Sequence, residues 1–355
     1  MKEKKVNFEI LRIISMLMII SLHFFLHCSI PYLKTLNSNF VYTWSVEAIS
    51  YVSVNIFILL TGYFSIYSTF NCRRLVNIIL LVEFYSFIFL FLSCIFFPNL
   101  ITINTILTSL FPLISGHYWF ITVYLLLSLC IPLINKLIKN SDNVFIFYSI
   151  IIALIIFCLI PTFFPFSDIN LKLNGGTNLV WFIVVYLIGA YIRIHDINIK
   201  RFFCWTAMLL SFSIMLGTKL VFLQFLNRLD GGAVFYHHNS IFVLIAAVMI
   251  FIIFKNFNIK SNVVTKAVLN ISPLCLGVYV IHENIYVKEL VWNLINKIQN
   301  LNSLWWPIFS IYIIVIVFCG CALIEYIRQK LFNKLMLNER LYVILQNLFN
   351  KLDSR

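Results

Sequence analysis

Ionisable side chains inside long apolar stretches are costly, so each one marks a candidate for chemistry. The first apolar stretch holds Arg12 and His23, eleven residues apart. At 100° per residue, eleven steps end about 20° past three full turns, so the two side chains share one helix face, roughly 16 Å apart along the axis. Arginine is always charged and offers a planar fork of donors that suits phosphate. Histidine takes a proton from a hydroxyl near neutral pH. A site loaded at one membrane face and unloaded at the other would use this spacing; so would a snorkelling arginine and a histidine hydrogen-bonded within a bundle.

More candidates follow along the chain. The second apolar stretch carries Glu47 and Asn55, then Thr61-Gly62-Tyr63-Phe64, where Gly62 permits close backbone approach. Arg73 and Arg74 come next and suit an anionic ligand, although a basic loop alone would supply them. Glu83 needs a cationic partner or a wet cavity, and Arg12 or Arg74 could supply the cation. His117, Trp119 and Tyr124 open the fourth stretch. His282 and Glu283 adjoin in the ninth; neighbours on a helix point about 100° apart, so each is expected to find its own partner. His27 is read as interfacial, and His237 and His238 as solvated in a polar outer loop. The nine cysteines show no CxxC and no metal-ligand spacing, so they are read as small core residues and no metal is expected.

These residues must be positioned by membrane helices. Of 355 residues 62% are hydrophobic and 11% are charged, against about 45–50% and 25% in soluble domains. That excludes a soluble enzyme, a disordered chain and a nucleic-acid-binding domain. The expected fold is an all-α polytopic bundle with ten spans, at 8–28, 44–67, 75–97, 118–138, 143–161, 178–194, 201–223, 240–256, 268–287 and 304–327. With these spans, nineteen of the 26 Lys and Arg fall on the side of the N-terminus and six opposite. Both termini are therefore expected in the cytoplasm. The net charge of +13 is then a topology signal. Residues 1–328 form the membrane domain, and 329–355 an amphipathic cytoplasmic tail.

In this order the motifs resemble those of the integral-membrane acyltransferase family, type three. The resemblance rests on Arg12 and His23, Thr61–Phe64, Arg73/Arg74, His117–Phe120 with Tyr124, and Val280–Glu283. It implies transfer of an acyl group, usually acetyl, from cytoplasmic acyl-CoA to a hydroxyl of a cell-surface or lipid-linked saccharide, such as capsule or exopolysaccharide. The setting is a bacterial cytoplasmic membrane. Acetyl-CoA is a donor substrate here, with no tightly bound cofactor. By resemblance His23 looks like the catalytic histidine, as general base or else as transient acyl carrier, with Glu283 in support. Arg12, Arg73 and Arg74 would hold acyl-CoA; His117, Trp119, Tyr124 and His282 would line the acceptor side. Partners are the saccharide and the bilayer, with a second copy or polysaccharide-assembly proteins left open. Where the family often carries a further arginine three residues after the basic pair, this chain has Asn77. The alternative is a transporter or flippase of a lipid-linked saccharide. It calls for matched broken helices, and Pro132, Pro161 and Pro273 are not paired between halves.

Overall fold

The fold is that of a computed structural model, which describes residues 5–28, 36–164, 174–226, 232–257, 259 and 261–334. These are predominantly helical, with no strand among them. In chain order the helices are α1 (Val6–Cys28), α2 (Ser38–Ser50), α3 (Val52–Ser65), α4 (Cys72–Phe96), α5 (Ile103–Leu110), α6 (Trp119–Asn140), α7 (Asn143–Leu154), α8 (Ile160–Phe163), α9 (Leu179–Ile194), α10 (Arg201–Leu226), α11 (Ile241–Lys255), α12 (Asn262–Ile271), α13 (Cys275–His282), α14 (Ile285–Ile298) and α15 (Trp306–Lys334). Asn37, Asn71, Thr102, Asn178 and Ser261 cap helix starts with side-chain oxygens. Among the described residues nine helical stretches are long and apolar enough to cross a membrane, and α9 is a shorter apolar helix. The chain is a multi-pass membrane protein.

At sixteen residues α9 spans roughly 24 Å, and it is packed tightly against α3. A Cβ on Gly62 would run into the Tyr186 carbonyl, and one on Gly189 into the Leu59 carbonyl. The two glycines let the backbones touch, as the second apolar stretch suggested for Gly62. Thr61 Oγ1 returns its hydrogen bond to Phe57 O at 2.8 Å.

The expected ninth span, 268–287, is met by Asn262–His282, which tightens midway and ends five residues early. Helix α12 gives way to a 3₁₀ turn at Ser272–Leu274, and α13 ends at His282. Pro273 has no N–H for a continuous ladder. Beyond that end, Asn284 caps α14 by accepting from Tyr286 N. The last helix runs to Lys334, six residues into the expected tail; 335–355 lie outside the described residues.

Charges expected on one face do gather. Lys5 and Arg193 both sit on the Tyr63 ring, and Asn7 donates to Phe254 O beside Lys255. Lys219, assigned to the opposite face, is buried within α10 with its ammonium 4.1 Å from the Trp44 ring centre. The cysteine reading is too uniform. Cys28, Cys158, Cys204, Cys275 and Cys321 are buried, whereas Cys72, Cys94 and Cys319 face outward.

Candidate active site: two cavities that meet beside a histidine

One face of α1 organises the site. Arg12, Met16, Ile19 and His23 follow one another at three- and four-residue steps along it. Arg12, Met16 and Ile19 line an inner cavity of about 510 Å³. Arg73, Arg74, Asn77 and Tyr124 line its α4 and α6 sides, and Glu325 and Arg328 its α15 side. Arg12 pairs with Glu9 rather than with Glu83. Arg74 donates to the Tyr124 hydroxyl at 3.0 Å. Glu325 is held by Tyr85 Oη–H at 2.8 Å, by both arms of Arg328 at 2.7 and 2.8 Å, and by Gln329 at 2.7 Å. Gly277 leaves room for that carboxylate, since a Cβ there would overlap it.

His23 lines a second, outer cavity of about 200 Å³ with Glu47, Tyr51, Trp119 and His238. Ile19, Phe120 and Tyr279 line both cavities and form the wall between them. His238 is buried, with its ring stacked on Trp119 at 5.9 Å and 28°. Asn55 pins it there by donating to His238 O at 2.8 Å while accepting from Trp181 Nε1 at 3.0 Å. The expectation of a solvated His238 is thus overturned, because the loop folds inward onto α3.

The proton positions around His23 follow from what each partner can do. His282 Nδ1 lies 2.7 Å from Val278 O, and a carbonyl only accepts, so Nδ1 carries the hydrogen. Neutral His282 then accepts at Nε2, which is 2.9 Å from His23 Nδ1. His23 therefore donates from Nδ1 and keeps its lone pair on Nε2. Glu283 Oε1 lies 3.1 Å from the same Nδ1, without a hydrogen bond of its own among the described residues. The expectation of separate partners for His282 and Glu283 fails. Helix α13 stops at His282, so the 100° rule does not reach Glu283, and both converge on His23. Their ligating atoms and that of His23 lie within 4.8 Å of one another, near enough for a divalent ion. The 2.9 Å nitrogen contact is that of a shared proton.

The start of α6 clamps this turn. His117 Nε2 lies 2.6 Å from Glu283 O, Tyr118 donates to Val280 O at 3.0 Å, and Asn284 donates to the Tyr118 hydroxyl at 3.2 Å. Burial and the Lys288 charge hold the His117 imidazole below its ordinary pKa, so Nε2–H is the donor of a neutral ring. Of the residues expected on the acceptor side, Trp119 lines the outer cavity. Tyr124, about 7.5 Å further along α6, lines the inner one instead. His117 and His282 are not among the residues lining either cavity; they sit behind Glu283 and His23. Arg12, Arg73 and Arg74 come together as expected. Tyr279, Glu325, Arg328 and His238 were missed. Glu325 is an acid within an apolar stretch, and Tyr279 lies one turn before His282, so both carried a readable signal.

No curated protein and no solved structure matches this chain. The family model of the type three acyltransferase domain matches residues 5–325, a range that takes in the outer cavity, the His23 cluster, the wall between the cavities and all of the inner cavity's lining but Arg328 and Gln329. The chain belongs to the integral-membrane acyltransferase family, type three, and is an acyltransferase.

Proposed function

We propose that the protein moves an acetyl group from cytoplasmic acetyl-CoA to a hydroxyl of a cell-surface or lipid-linked saccharide, in the cytoplasmic membrane of a bacterium. The observation that carries the reading is the pair of cavities sharing Ile19, Phe120 and Tyr279, with arginines on one side and His23 on the other. CoA phosphates suit Arg12, Arg73 and Arg74, which offer forked donors in one cavity. The thioester then reaches the shared wall, and acetyl, the smallest common acyl group, asks least of it. The acceptor hydroxyl gives its proton to His23 Nε2, and its oxygen attacks the thioester carbonyl. The C–S bond breaks, and the CoA thiolate recovers the proton from the imidazolium. His282 keeps the hydrogen on Nδ1, and Glu283 offsets the transient positive charge.

The test uses the full chain in membranes, with acetyl-CoA release and acetylation of surface glycan as readouts. His23→Gln keeps the size but takes no proton. It should lower transfer by about 10²–10⁴-fold, with insertion and acetyl-CoA binding unchanged. Near-full activity in this variant would move the base elsewhere.

A further inference from the structure

The outer cavity holds a carboxylate that the proton-transfer chemistry leaves unused. Glu47 is 2% exposed, lines the cavity, and its Oε1 has no hydrogen-bond partner among the described residues. The Lys219 charge faces it. That ammonium sits over the Trp44 ring at 4.1 Å and near the Tyr236 ring at 5.6 Å. A buried carboxylate is costly unless it is paired and hydrogen-bonded. The Lys219 charge acts on the carboxyl group, and one of its oxygens is left waiting for a partner.

Three other polar groups of the cavity also offer acceptors, while the Tyr51 hydroxyl and the Trp119 indole N–H can donate. His238 Nδ1 lies 3.3 Å from Tyr51 O, so the hydrogen is on Nδ1 and the neutral ring's lone pair on Nε2. Thr177 spends its hydroxyl hydrogen on Asn174 O at 2.8 Å. His23 keeps its lone pair on Nε2, as its partners require. A cavity that presents acceptors calls for a ligand that brings several donors, and the Trp119 ring adds a flat apolar face. At about 200 Å³ it is smaller than the roughly 300–1,000 Å³ of drug-sized sites, which suits one ring rather than a chain of them.

Resting on the acyl transfer proposed above, we propose that this cavity is the subsite for a single pyranose ring of the acceptor, in which Glu47 accepts a hydrogen bond from a second hydroxyl and so selects which sugar is acylated. Glu47 is a specificity residue and takes no part in moving the reaction's proton.

Full-length protein in proteoliposomes is given acetyl-CoA and a panel of methyl pyranosides with their monodeoxy derivatives, and glycerol as a linear polyol. Wild type should acylate at least one pyranoside and lose about 10–100-fold in kcat/KM when one non-reacting hydroxyl is removed, the size expected when a buried polar group is left without its partner. Glu47→Ala should be insensitive to that same deletion, with acetyl-CoA binding unchanged. Glu47→Gln, which keeps an acceptor oxygen, should recover part of the discrimination. Unaltered discrimination in Glu47→Ala overturns the assignment, as does acylation of glycerol with no pyranoside accepted. Both results leave acyl transfer standing. Full activity of His23→Gln on membrane-extracted glycan would instead bring down the transfer mechanism itself.

Discussion

At the scale of single residues, the site turns on which nitrogen of His23 is free. Two neighbours act on its Nδ1 by different means. His282 fixes the tautomer through a 2.9 Å hydrogen bond, and Glu283 contributes charge from 3.1 Å. Removing the charge alone should therefore cost less than removing the base. Glu283→Gln is expected to lower kcat about 10–100-fold, below the ~10²–10⁴-fold of a lost general base, without moving acetyl-CoA affinity. Single-turnover rates alongside equilibrium binding measure both. A kcat equal to wild type would reduce Glu283 to part of the turn that His117 and Tyr118 clamp.

At the scale of helices, proximity between backbones sets the geometry. Helices α3 and α9 meet at Gly62 and Gly189, and α9 also brings Tyr186 to Asn135 of α6 at 2.6 Å. Asn55 on α3 then carries His238 into the outer cavity. Gly62→Val would press a branched side chain against the Tyr186 carbonyl, and overpacking of this kind costs about 1–3 kcal/mol. A lower melting temperature in detergent is expected, and activity should fall with it. An unchanged melting temperature would mean that the two helices are free to separate.

At the scale of the whole molecule, the arginine cavity and the histidine cavity lie at successive depths along α1, so chemistry and sidedness are linked. Tags at the N-terminus and after Arg355 should both report cytoplasm. A cysteine in place of Lys172 should react with an impermeant thiol reagent from outside, above the background of the native cysteines. An external C-terminus would break the ten-span topology and, with it, the sidedness proposed for donor and acceptor.

The all-α membrane bundle, its ten apolar segments and the shared face of Arg12 and His23 were all legible in the sequence. Lipid forces backbone hydrogen bonds to close within each helix, so composition and the 3.6-residue period suffice for such statements. The tertiary structure decided what depends on where helices stop and which helices touch. The turn after His282 ends α13 early, and that is why Glu283 and His282 serve the same nitrogen. The same holds for Lys219 facing Glu47, for His238 turned inward, and for Tyr124 in the cavity of Arg12, Arg73 and Arg74. Each of these pairs residues far apart in sequence, or depends on depth along a helix. A one-dimensional period encodes the direction of a side chain about its own axis and says nothing of the neighbour it meets there.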